Sequence, residues 1–407
     1  MSAVAIDSTV ELLRDPYRFI SRRARELERD AFQTRLALRP VICLTGIEGA
    51  KLFYDADRFW RRDALPEPVQ ATLFGRGGVQ TLDDASHLRR KRLFLDVLTE
   101  DAVARLGMLA DREWERATSW GHRVAVYELA KQVYCRAVCT WAGVPLSDRD
   151  VASTASDLAL LFEGVATFGP RHWAARLARR RLERWLAGLV RDVRAGRLPA
   201  DGTPLAVFAW HRDLEGRLLP PRVVAVDLLS VLRPTVAVSV FTVFCALALH
   251  RYPEWRERLA APESPDLEPF VQEVRRFYPF APFVAARVRR DFTWQGADAR
   301  EGTLALLDLF GIDHDPRIWT DPRTFRPERF RDLRDDPFGF VPQGGGDVAT
   351  THRCAGEPAT VALMKGAVVF LAGRVAYAVP DQDLRIRWRG LPPVPRGGFL
   401  IEAMRAR

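Results

Sequence analysis

Apolar residues recur at helical spacing along most of the chain, and the polar breaks between these stretches place helix ends. Residues 8–32 show this period and are interrupted at Pro16, which predicts an N-terminal helical region broken there. Further helices are predicted over 86–119, 123–143, 148–166, 171–195 and 222–250, many introduced by Ser, Asp or Pro. Two-residue alternation is scarce. It predicts a short strand in "RPVICL" followed by a turn at Gly46 and a helix, a hairpin over 292–310, and a weaker strand at "RIRWRG" from 385. The pattern describes a mainly α chain with small β-sheets. No repeat and no Gly/Ser-rich or Pro-rich linker divides it, so residues 1–407 are expected to form a single large domain.

The 222–250 helix carries an anomaly, "VLRPTVAV" at 231–238, which sets Arg233 and Pro234 in the most apolar stretch of the chain. An unpaired cation is costly to bury and a mid-helix proline removes a hydrogen bond, so the pair calls for a purpose. The uncharged run Thr235 to Leu249 is shorter than the ~20 residues a membrane span needs. The start, "MSAVAIDSTVELLRD", has acids where a signal peptide has a basic region and an apolar core, so no membrane span and a soluble chain are expected. The net charge of +9 comes almost wholly from arginines interleaved with acids, which suits a solvated surface better than a nucleic-acid groove. Five cysteines without a C-x-x-C pair fit no disulfide framework or structural zinc site, and suit a reducing cytoplasm.

The main chemical feature is "FGFVPQGGGDVATTHRCAGEP", where a glycine run leads to Cys354 and then to an apolar periodic helix. A cysteine at the start of a helix faces unpaired N–H groups and the positive end of the dipole, which favours thiolate, a nucleophile or metal ligand. Alone, such a cysteine is most often buried and inert. Three other features accompany it: Glu273 and Arg276 at i, i+3 in "EVRR", and Arg329 in "FRPERF". Apart, an E-x-x-R pair is only a helical salt bridge.

In this order and spacing, these motifs resemble the cytochrome P-450 superfamily. The resemblance implies the P-450 fold, with a haem b between the long central helix and the cysteine-loop helix. It makes Cys354 the iron ligand and Glu273, Arg276 and Arg329 a structural ion network. It also implies that the haem propionates are held from Arg61 in "RFWRRDALP", His87 and Lys91 in "SHLRRK", and His352 two residues before the cysteine. Cations and a histidine suit carboxylates.

The central helix departs from most of that superfamily, which relays protons through an acid and an alcohol where Arg233 and Pro234 stand here. Arginine gives up no proton, but its planar fork binds a carboxylate in two parallel hydrogen bonds. A fatty acid would bring the carboxylate, and a chain for an apolar channel whose candidate walls are Phe74, Val79, Phe283 and Val284. The anchored carboxylate would serve as general base and acid toward hydrogen peroxide, and oxidation would fall beside it at the α or β carbon.

"LRPTVAVS", "FVQEVRRFYPF", "GPRHW" and the "PQGGG" loop further resemble the bacterial fatty-acid peroxygenase branch. That implies a peroxide-dependent α/β-hydroxylase with minor decarboxylation to terminal alkene and no redox partner. Gln80 stands where the branch carries a glutamine or histidine near the haem, and Arg233, Pro234 and Gln80 are the candidate catalytic residues. Thr351 replaces a usual glycine and Ala355 a usual proline. Threonine is strained at positive φ, so the loop is expected to turn differently. A reductase-dependent monooxygenase, docking its partner around Arg89 to Arg92, and a haem-based lipid carrier or sensor are the alternatives.

Overall fold

The computed structural model describes residues 7–117, 123–165, 169–332 and 336–406. Thr118, Ser119 and Ala166, at the ends of two predicted helices, lie outside the described residues. The strands are β1 (Ala31–Leu36), β2 (Arg39–Leu44), β3 (Phe59–Trp60), β4 (Arg123–Ala125), β5 (Phe283–Val288), β6 (Phe292–Trp294), β7 (Ala297–Ala299), β8 (Leu304–Asp308), β9 (Val375–Ala378) and β10 (Leu400–Ala406). Five form a sheet in the order β1-β2-β8-β5-β3, in which only β2 and β8 run parallel. β4, β10 and β9 form a second sheet.

The predicted hairpin over 292–310 divides in two. β6 and β7 form a small antiparallel pair, while β8 enters the large sheet between β2 and β5. β8 reads "LALLD" without alternation, which suits a central strand covered on both faces. "RIRWRG" forms no strand; Trp388 instead packs edge-on against Tyr17 and Phe310. Ala31 and Phe32, predicted helical, open β1 because they pair with Leu44 and Cys43. The predicted 86–119 helix is two, Asp84–Val97 and Glu100–Arg116, parted where the Thr99 hydroxyl caps the second by accepting from the Ala102 N–H at 3.3 Å.

The central helix, Pro221–Arg251, begins with Pro221 in its first turn and runs unbroken through Pro234. It packs on the helices Val126–Ala142, Pro170–Arg194 and Glu357–Val369 in the largest hydrophobic cluster. By length and composition it could cross a membrane, although the run 235–249 alone is too short. Its apolar window is 94% buried by the rest of the fold, which makes it a core helix. From Val224 to Leu249 only Ser230 and Pro234, one turn apart, are partly exposed. This strip lies next to Arg233 in sequence.

Candidate active site

The cysteine loop is built by its own hydrogen bonds. Positive φ falls on Gly344 and Gly346, leaving Thr351 unstrained, and the Thr351 hydroxyl donates to Gly345 O (3.0 Å) and Asp347 O (2.7 Å). A Cβ on Gly346 would meet Thr351 Cγ2 at 2.7 Å, so the glycine makes room for the threonine. The Cys354 N–H donates to Gln343 O at 3.1 Å, and Gln343 Nε2 reaches Sγ at 3.7 Å. Arg275 fixes that glutamine through Oε1 (3.0 Å) and pairs with Glu357 (3.0 Å), which also holds Arg353 (3.0 Å).

Cys354 precedes the N-cap Gly356 of the helix Glu357–Val369. Burial, then the Glu357 charge, pushes its thiol up; the Gly356 N–H, Lys91 and Arg275 oppose this. The helix start alone therefore does not make a thiolate. Unlike Cys43, Cys135, Cys139 and Cys245, which are buried, Cys354 stays partly exposed.

Arg61, His87, Lys91 and His352 lie close together. The two imidazoles stack with centroids 3.8 Å apart and planes at 21°. Burial, with Lys91 and Arg61 nearby, lowers His87 to about 4, and burial drives His352 down also, so both rings are neutral at pH 7. Arg61 lies over the Phe53 ring at 4.2 Å and donates to Ala285 O at 2.9 Å. Lys91 Nζ braces the loop by donating to the carbonyls of Thr351 (3.2 Å) and Arg353.

Arg233 is 7% exposed, and its Nη1 donates to Leu73 O at 2.6 Å, its single hydrogen bond among the described residues. Its guanidinium lies 5.4 Å from the Phe74 ring centroid. Burial, with Arg179 adding repulsion, lowers it to about 9. It remains a cation at neutral pH. The neighbouring Thr235 hydroxyl donates to Val231 O at 2.9 Å, which commits its proton to the helix backbone.

Gln80 sits in the short turn Val79–Thr81, where its Oε1 lies 3.3 Å from Ser230 Oγ, a hydroxyl that also reaches Val226 O at 3.1 Å. Val79 belongs to the main core, and its N–H donates to Asp227 Oδ1 at 3.2 Å. Phe283 and Val284 do not share a wall. Strand alternation turns Phe283 toward the cluster of Phe19 and Phe32, and Val284 toward that of Phe53 and Phe59.

Glu273 and Arg276 are fully buried and paired at 2.7 and 2.8 Å; Arg329 joins at 3.2 Å and the Arg326 N–H at 2.8 Å. Sequence reasoning missed Gln343, the buried Arg90–Asp227 ion pair and Arg179. Arg179 was legible in part: Ala175, Ala178, Leu182 and Leu186 mark the buried stripe of its helix, and Arg179 falls within it. Of the basic run 89–92, Arg90 and Lys91 are buried, which leaves only Arg89 and Arg92 on the surface.

Residues 261–369 match the family Cytochrome P450. Ferruginol synthase of Salvia miltiorrhiza is 32% identical over 129 residues, 30% of this chain and 25% of that protein. Cytochrome P450 3A5 of Homo sapiens is 30% identical over 105 residues, 25% of this chain and 20% of that one. The alignments thus span a quarter or less of those relatives' length. Solved structures match throughout. Cytochrome P450EX alpha (CYP152N1), wild-type with myristic acid, has a TM-score of 0.95 and 43% identity, covering 100% of both chains. Cytochrome P450SP alpha (CYP152B1) in complex with (R)-ibuprophen has a TM-score of 0.94 and 45% identity over 98% of each chain. A variant of cytochrome P450 OleT in complex with arachidonic acid has a TM-score of 0.95 and 32% identity, covering 100% of this chain and 99% of that one.

With this fold and this cysteine loop, the chain belongs to the cytochrome P450 family. Within it, the full-length likeness sets the chain in the branch of the CYP152 proteins. The family implies a haem, and the residues present fit one. Arg61, Lys91 and Arg233 make no ion pair among the described residues, so the interior holds cations awaiting anions. A haem would set Cys354 at the iron, with Arg61, His87, Lys91 and His352 toward its propionates.

Proposed function

We propose that this protein hydroxylates fatty acids at the α or β carbon with hydrogen peroxide as oxidant, needing no redox partner. The observation that carries this reading is Arg233: a buried cation with no carboxylate partner among the described residues, and with one N–H on Leu73 O as its only hydrogen bond among them. A fatty-acid carboxylate completes the fork with two charge-assisted hydrogen bonds, which offsets the cost of burying the guanidinium. The complexes of CYP152N1 with myristic acid and of OleT with arachidonic acid support that class of ligand.

When bound, a haem ligated by Cys354 supplies the iron at which a peroxide O–O bond is cleaved. Arg233 holds the carboxylate near that point, and the carboxylate takes a proton from peroxide and returns it to the departing oxygen as water. Pro234 removes the acid, and the Thr235 hydroxyl is committed to Val231 O, so the chain itself offers no proton relay there. Phe74 packs on the guanidinium and helps exclude water. The balance is one C–H oxidised to C–OH and one peroxide reduced to water. Gln80, beside Ser230 one turn from Pro234, borders the same strip and favours hydroxylation over decarboxylation.

The test is purified holoprotein with myristic acid and hydrogen peroxide, without reductase. α- or β-hydroxymyristic acid is expected; product that appears only with a reductase would overturn the peroxide reading, and tight binding without product would make the protein a carrier. Arg233→Ala should lower kcat/KM for myristic acid about 100-fold or more, the scale of losing a buried charge pair, with the haem spectrum intact. Retained activity would sink the anchoring.

A further inference from the structure

Two buried arginines converge on one turn. The helix Glu67–Leu73 ends at Phe74 and Gly75, and Arg233 and Arg179 both reach its last carbonyls. Arg179 donates from Nη1 to Leu73 O at 3.3 Å and from Nη2 to Phe74 O at 3.0 Å. Arg233 takes Leu73 O from the other side at 2.6 Å. Arg179 is 3% exposed, and its Nε is tied to Glu183 Oε1 at 2.6 Å one helical turn on, so each of its three nitrogens already holds a protein acceptor. The close approach is built in: Gly75 stands at φ +77°, and a Cβ there would lie 2.0 Å from Arg179 Nη2. The far end of the turn is fastened by the Asp227 carboxylate, which accepts the Val79 N–H and pairs with Arg90.

A like charge beside Arg233 is not what apolar packing would select. Glu183 pairs with Arg179 and offsets much of its charge, so the chief effect of Arg179 is to fix the carbonyl against which the Arg233 fork is aimed. We infer that Arg179 is a positioning residue for the substrate carboxylate, clamping the Leu73–Gly75 turn so that Arg233 and the Phe74 ring present a preformed anionic site. The inference rests on the fatty-acid reading above.

The experiment compares Arg179→Gln and Arg179→Lys with wild-type holoprotein, titrating myristic acid and 1-tetradecanol, which has the same chain but no carboxylate. Arg179→Gln is expected to raise Kd and KM for myristic acid about tenfold, about 1.4 kcal/mol, while the affinity for tetradecanol stays within twofold. Arg179→Lys, which keeps the charge but reaches one carbonyl, should recover part of the loss, with kcat nearly unchanged. Equal loss of affinity for acid and alcohol would mean that Arg179 only supports the fold, and myristic acid Kd values within twofold of wild type in both variants would overturn the inference. If Arg179→Gln yields no holoprotein, the same comparison with Arg179→Lys decides. Arg233→Ala run in parallel separates the two claims: if it too binds myristic acid like wild type, the anchoring reading has failed, and if it loses binding while the Arg179 variants do not, only the clamp has.

Discussion

Gln80 places a single amide beside the central helix, where the proposed product choice would be made. Its Oε1 lies 3.3 Å from Ser230 Oγ on the partly exposed strip of that helix, and an amide neither gains nor loses a proton near neutral pH. An imidazole there would do both. Gln80→His is therefore expected to raise the terminal-alkene share of the myristic acid product severalfold, measured by gas chromatography; an unchanged share would remove Gln80 from the partition. At this scale, Cys354 and Arg233 were legible because each breaks its surroundings, a cysteine after a glycine run and a cation in an apolar helix. Gln343 and Arg179 were not, since a polar residue in a loop or a basic run declares no partner until the chain folds.

Between elements, the sites are held by buried charge. Glu273 receives Arg276 on its own helix, Arg329 some fifty residues on and the Arg326 N–H, so one carboxylate joins the helix Leu267–Phe277 to the segment before the cysteine loop. Removing it leaves two buried guanidinium groups without a counter-ion. Glu273→Gln should lower unfolding stability by about 3–5 kcal/mol, seen as a lower denaturant midpoint and poor haem retention. The i, i+3 spacing foretold the pair, but not that the strand predicted to close a hairpin would enter the large sheet. β8 is apolar on both faces, and its neighbours β2 and β5 come from distant parts of the chain.

Across the molecule, the sheet carries a charge that should register in stability. Asp308 ends β8, and its Oδ1 accepts the Gly311 N–H at 2.8 Å. Burial raises its carboxyl to about 7, although Ser21 and Arg25 act to lower it. With the folded value above the unfolded one, the stabilising contribution is full below pH ~4 and is lost as pH rises through about 7. Asp308→Asn keeps the cap without the charge. The wild type should lose stability relative to this variant by roughly 1.4 kcal/mol per pH unit across that window, then level off, and parallel melting curves from pH 4 to 8 would contradict it. The sequence by itself determined the helix-rich class, the Glu273–Arg276 pair and two residues out of keeping with their surroundings, Cys354 and Arg233, because periodicity and rare residues in unusual company are local signals. Only the tertiary structure decided that His87 stacks on His352, that Phe283 and Val284 part to opposite faces, and that Arg179 meets Arg233 at one turn. Those are contacts between distant segments, and which face a segment buries is settled only when another is there to cover it.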